Sequence, residues 1–252
     1  MTTVRRPRRR AALTAPLVAL GLVASLGLAG CSGDDESPSS NTSADADGDD
    51  EVTPEEVMAF AKKQLDSTSG VTLSLATDDS PDADAFLKRA EGTITTAPAF
   101  EGTAEGTFNG ITAEVKVIAV DAKFYVELPV VGWDELDPES ICAPDPAMLL
   151  DPDSGVSNVL TSAEGLEEGE SQRAASDNEL VITPYTATVP GEAIKNILPC
   201  SPGDSFDATF SIDGDGRLRE AELTGEFFSG VDDLTYTISI SEYDVTKEIT
   251  AP

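Results

Sequence analysis

From residue 71 onward the chain alternates apolar and polar side chains in short runs, and this period of two dominates to its end. A period of two places successive side chains on opposite faces of a strand. Before it stands one helical pattern. Thr53 is an N-cap, Pro54 occupies the first helical position and Glu56 completes a capping box. Val57, Phe60, Ala61 and Leu65 then form one apolar stripe that ends before Gly70. Val71, Leu73 and Leu75 begin the strands, followed by runs over 91–96 and 103–108. Asn109-Gly110 is a strong hairpin signal. It leads into a strand with Ile111, Ala113, Val115, Val117 and Ala119 on one face, and Ile118 and Val120 on the other. Asp121-Ala122 turns the chain into Phe124, Val126 and Leu128.

Residues 133–152 are Pro-rich and read as irregular. A helix is expected from Ser154 with Val156, Val159 and Leu160, then strands over 172–174 and 179–188. A short helix carries Ala193, Ile194, Ile197 and Leu198 and stops at Pro199. Three strands finish the chain, led by Phe206, Leu218 and Leu234. Asp213-Gly214-Asp215-Gly216 is a hairpin turn rather than a calcium loop, because no distal Glu sits at EF-hand spacing. Adjacent hairpins make an antiparallel sheet with one apolar face, and the few helices are its available cover. The expected class is α+β.

The N-terminus carries a different pattern. Residues 5–10 read RRPRRR, residues 11–28 are apolar, and Leu28-Ala29-Gly30-Cys31 follows. A basic, then apolar, then small-residue order is an export signal. The last four residues look like a bacterial lipobox, in which Cys31 is diacylated after cleavage. Residues 1–30 are therefore assigned to the signal peptide. Either the Sec or the twin-arginine route fits it. Residues 31–51 form an acidic tether without large apolar side chains, spanning roughly 25 Å if flexible. Residues 52–252 are the folded domain.

Charge narrows the function classes. There are 47 acidic against 16 basic residues, net -31, and five of the bases are arginines of the signal. Nucleic-acid binding is disfavoured, because neutralising phosphates needs a basic surface. There is no histidine, so Ser-His-Asp triads, Cys-His dyads and imidazole metal sites are excluded. No catalytic residue, metal ligand or cofactor motif stands out, and nothing singles out a carboxylate pair for hydrolysis. Beyond Cys31 only Cys142 and Cys200 remain. In an oxidising compartment such a pair reads as a disulfide tying the irregular segment to the end of the short helix.

Several stretches together resemble the LppX/LprAFG lipoproteins of mycobacteria and their relatives. They are the lipobox, VIAVDAKFYVEL at 117–128, LLDPDSGVSNVL at 149–160, VPGEAIKNILP at 189–199, SIDGDGRLREAEL at 211–223 and TISISEYDVTKEITAP at 237–252. The resemblance implies a strongly bent antiparallel β half-barrel, with helices on its concave face enclosing an apolar cavity, similar in shape to LolA and LolB. It implies a non-enzymatic carrier of acylated lipids or glycolipids, anchored to the outer side of the cell membrane by its N-terminal diacylglycerol and moving lipid toward the outer envelope. It also implies an efflux-type transporter as a partner. The alternative is a non-catalytic protein-binding scaffold or transporter accessory. The lipid-binding pocket is expected to use Val57, Phe60, Val115, Val117, Phe124, Val159, Ile194 and Ile197, with the small residues Ala104 and Gly106 keeping one wall open. Residues 78–90 look like an insertion relative to that family.

Overall fold

In the computed structural model the described residues are 52–252 except 82, 84, 109, 142 and 176. They belong to one compact unit, Asp50–Pro252. The expected signal peptide, Cys31 and the expected tether lie outside them.

Twelve strands form one antiparallel sheet with spatial order β6-β5-β4-β3-β2-β1-β12-β11-β10-β9-β7, and β8 also pairs with β9. The strands are β1 (Gly70–Ala76), β2 (Ala85–Thr95), β3 (Ala99–Phe108), β4 (Ile111–Val120), β5 (Lys123–Leu128), β6 (Gly132–Leu136), β7 (Glu164–Glu168), β8 (Gln172–Arg173), β9 (Val181–Pro190), β10 (Ser205–Asp213), β11 (Leu218–Gly225) and β12 (Leu234–Tyr243). Short connections make the sequence neighbours spatial neighbours. The first and last strands pair with each other in the middle of the order, and β7 and β8 both pair with β9. Both edges are short and acidic, with Asp134 and Glu135 on β6 and Glu164, Glu167 and Glu168 on β7. Such edges resist pairing with another chain.

Three helices lie on one face: α1 (Pro54–Ser67), α2 (Ser157–Ser162) and α3 (Gly191–Lys195). The capping box of α1 is present, with Thr53 Oγ1 accepting from the Glu56 amide and Glu56 accepting from the Thr53 amide. Its buried side chains are Met58, Ala61 and Leu65. Lys62 ties α1 to α2 by donating to the Pro152 carbonyl at 2.8 Å and Ser157 Oγ at 3.1 Å, while Ser157 donates to Asp66 at 2.6 Å. Two short 3-10 helices, Pro138–Ile141 and Pro146–Met148, extend the cover, and the second rests against β2, β3 and β4.

The turns follow their chemistry. Asp121 and Ala122 both adopt positive φ, 55° and 57°, which suits a tight two-residue hairpin. Asp213 is the buried anchor of the β10–β11 turn. Its carboxylate accepts from the amides of Asp215 and Arg217 and from Arg219 Nε. The Asp-Gly-Asp-Gly run is therefore a hairpin turn whose carboxylate is occupied by the protein's own donors.

The strands differ from the expected pattern at three places. Residues 85–90 are the first half of β2, which starts before the 91–96 run. A register shift between Leu87 and Arg89 breaks the alternation there and hides the strand from a period-two reading. Residues 133–136 are not irregular but belong to β6, whose GWDEL sequence lacks alternation and is held by pairing with β5. The acid-rich β7 likewise exists because β9 offers it an edge.

Candidate functional site

Cross-strand partners in an antiparallel sheet share a face, so the register gives the inner face row by row. One row runs Val71, Ile94, Phe100, Ala119, Phe124. Every member is buried beneath the helical layer. A second row, Ile240, Leu73, Gly92, Gly102, Val117, Val126, is floored by two glycines in register. A Cβ on Gly102 would stand 2.0 Å from the Glu91 carbonyl oxygen and 2.6 Å from the Phe100 ring, and one on Gly92 would stand 2.6 Å from that same ring. The strands thus approach closely and Phe100 lies across both glycines, conditions only Gly meets. Gly102→Ala is expected to lower stability by about 1–3 kcal/mol, read as an earlier urea midpoint with unchanged slope.

The third row spans eight strands: Tyr185, Phe210, Ala221, Ile238, Leu75, Ala90, Ala104, Val115. Its first three members are buried, whereas the last five are only half-buried. The fourth row, Leu87, Gly106, Ala113, is half-buried throughout. The protein's own side chains therefore bury one end of this face fully and leave the other only part-covered, an unfilled strip in that sense. The unfilled strip is apolar and built largely of Ala, Gly and Val. Burying hydrocarbon against such a surface is favourable by about 25 cal/mol per Å².

A buried aromatic cluster stands beside β12. Phe206 and Phe227 are 4.8 Å apart, Phe227 meets Tyr236 edge-on at 5.0 Å, and Phe228 lies 6.5 Å from Tyr236. The Tyr236 hydroxyl donates to the Leu87 carbonyl, bridging β12 to β2 over the end of β1. Burial, reinforced by the Asp79 carboxylate, pushes this phenol far above its ordinary value, so it remains a donor. Asp79 also accepts from the Thr235 amide at 2.8 Å, pinning the β1–β2 connection to β12.

The expected pocket residues separate accordingly. Ala104, Gly106 and Val115 line the unfilled strip. Val57 and Ile197 are half-buried beside the core. Val117, Phe124, Val159 and Ile194 are packed inside the core, so their surfaces are taken by protein atoms. Phe60 is a correction: it is 47% exposed and leans toward Gly216 in the β10–β11 turn, because the buried stripe of α1 runs through Met58, Ala61 and Leu65. Leu75, Ala90 and Ile238 complete the third row but escape a pocket reading, since register with Ala104 is invisible in one strand's sequence. Cys31 and Cys142 lie outside the described residues; Cys200 is disulfide-bonded.

The expected cavity between sheet and helices thus divides into a filled core and an unfilled strip. Two hollows found among the described residues lie elsewhere. The larger, about 610 Å³, opens on the opposite face of the sheet. Its walls include Thr93, Glu101, Thr103, Lys116, Trp133 and Lys247, with Lys247 paired to Glu101 at 3.1 Å. The smaller, about 390 Å³, lies by the β5–β6 edge around Lys123, Glu135 and Asp145. Both carry charged walls, which cannot be desolvated cheaply by a lipid tail.

A single bent antiparallel sheet, covered by helices on one face over part of its length, defines a β-rich class with a few helices. Within that class the chain belongs to the LppX_LprAFG lipoprotein family, whose profile matches residues 53–250. It is 27% identical over 231 residues to the lipoarabinomannan carrier protein LprG of Mycobacterium tuberculosis, covering 87% of this chain and 89% of that one. LprG of Mycobacterium bovis matches to the same extent. Among solved structures, LprF from Mycobacterium bovis aligns with a TM-score of 0.65 at 14% identity, over 79% of this chain and 96% of that one. LppX from Mycobacterium tuberculosis aligns at 0.56 with 15% identity, over 78% and 98%. At these identities the two structures speak to the fold. Among the described residues no helix is long and apolar enough to cross a membrane.

Proposed function

We propose that the protein is a membrane-anchored lipoprotein that binds acylated lipids or glycolipids and carries them from the cell membrane toward the outer envelope. The observation that carries this reading is the apolar strip of Leu75, Ala90, Ala104, Val115 and Ile238, which borders the core and stays only half-buried. The reading is supported by family membership and by a relative named as a lipoarabinomannan carrier. No chemistry is needed: an acyl chain moves from one dry environment to another. Cys31 is proposed as the diacylated N-terminus, and two acyl chains anchor stably. The tether then keeps the domain near its donor bilayer and raises the effective concentration of lipid.

Cys200 is proposed to pair with Cys142, since acylation would consume the Cys31 sulfur. That bond would hold the segment between β6 and α2, and with it the cover over β2–β4, to the end of α3. An efflux-type transporter is proposed as a partner on the family resemblance alone. The test is solvent extraction of the purified protein followed by lipid mass spectrometry. The expected result is acylated lipid at near one equivalent. Repeated recovery of an empty protein that also fails to take up a fluorescent acylated glycolipid would instead favour the scaffold reading.

A further inference from the structure

The three most exposed large apolar side chains of the described residues lie at one end of the sheet. Val130 is 107% exposed, Val131 73% and Ile111 70%. Ile111 opens β4 just after the β3–β4 turn; Val130 and Val131 form the β5–β6 turn. Because β3–β4 and β5–β6 are successive hairpins joined along the β4–β5 seam, both turn at the same end. The unfilled strip runs out at that end too, through Val115, Ala113 and then Ile111 on one face of β4. Val130 is β-branched yet sits at φ +73°, a conformation that such residues avoid. Its side chain projects outward and packs on nothing.

Charge separates a bilayer from a protein partner. With 47 acids in the chain, residues 106–113 and 128–133 contain none and no base either. Acids resume at Glu105, Glu114, Glu127 and Asp134 on every flank. Two uncharged, protruding tips ringed by carboxylates suit shallow entry into a fluid apolar layer. They do not suit a preformed protein pocket, which needs a concave match.

We propose that these hairpin tips are a bilayer-docking edge: Ile111, Val130 and Val131 enter the headgroup region and bring the open end of the strip against the membrane. The flanking carboxylates limit the depth to the tips. Docking gives an acyl chain a short dry path onto Val115 and Ala104, and so this inference rests on the lipid-carrying reading.

Trp133 is the protein's single tryptophan and lies two residues beyond Val131, so it reports on the tip directly. The full chain is mixed with phosphatidylcholine vesicles, plain or carrying brominated acyl chains, and Trp133 emission is compared. About a twofold loss of emission is expected in brominated vesicles. Val130→Asp with Val131→Asp is expected to abolish that loss while leaving the circular dichroism spectrum unchanged, since neither side chain contributes to the core. Equal emission in both vesicle types overturns the docking edge, and so does quenching that persists in the double variant. If such a protein still yields acylated lipid on extraction, lipid binding stands and only the docking edge falls.

Discussion

Replacing Ala104 by Trp is expected to weaken retention of acylated lipid by roughly 200-fold. Ala104 sits between Ala90 and Val115 in the half-buried end of the third row. An indole there would stand on the floor of the strip and displace several methylenes of any bound chain. At about 0.8 kcal/mol per CH₂, excluding four methylenes weakens binding by about 3 kcal/mol. The neighbouring Thr103 supplies the control. It lies in the same strand and lines the charged hollow on the opposite face, so Thr103→Trp should leave lipid retention unchanged. Native mass spectrometry of both variants decides the matter. If Ala104→Trp holds the same lipid as the parent, the strip is not where lipid lies.

Phe210→Ala is expected to produce the largest loss of stability, about 3–5 kcal/mol. Phe210 is 1% exposed and sits in the same row as Ala104, but at the filled end, between Tyr185 and Ala221. Deleting its ring removes its burial and leaves a cavity that rigid neighbouring strands cannot close. For a domain of this size that corresponds to a fall in melting temperature of roughly 6–20 °C. Phe60→Ala makes the comparison informative. Phe60 was expected to share the interior but is 47% exposed, so its removal should cost under about 1 kcal/mol. Calorimetry on the two variants would show equal losses only if the helix α1 face were assigned wrongly.

The row shared by Phe210 and Ala104 also shows why one interior has two characters. Large side chains and helices meet over β9–β11, and the space closes. Over β2–β4 the sheet presents Ala and Gly, and the 3-10 segment with buried Ala147 and Leu150 gives thinner cover. The side chains of the third row there stay half-buried.

Much of this was legible in the residues. The period of two, the Asn109-Gly110 and Asp121-Ala122 turns and the Thr53–Glu56 capping box are local signals, set by side-chain sterics and nearby hydrogen bonds. They specify α1 and most strands between β1 and β12 without reference to anything distant. What distinguishes a core residue from a strip residue is not local. Val115 and Val117 are identical side chains two positions apart on one face of β4, yet Val117 is buried and Val115 only half-buried. The difference lies in what the chain brings over them from more than twenty residues away. Likewise β6 and β7 have no strand pattern of their own and exist because a partner edge offers hydrogen bonds. The sequence by itself determined which face of each strand is apolar, because alternation is a property of one strand. Only the tertiary structure decided which part of that face stays unfilled, because filling depends on volumes contributed by elements distant along the chain.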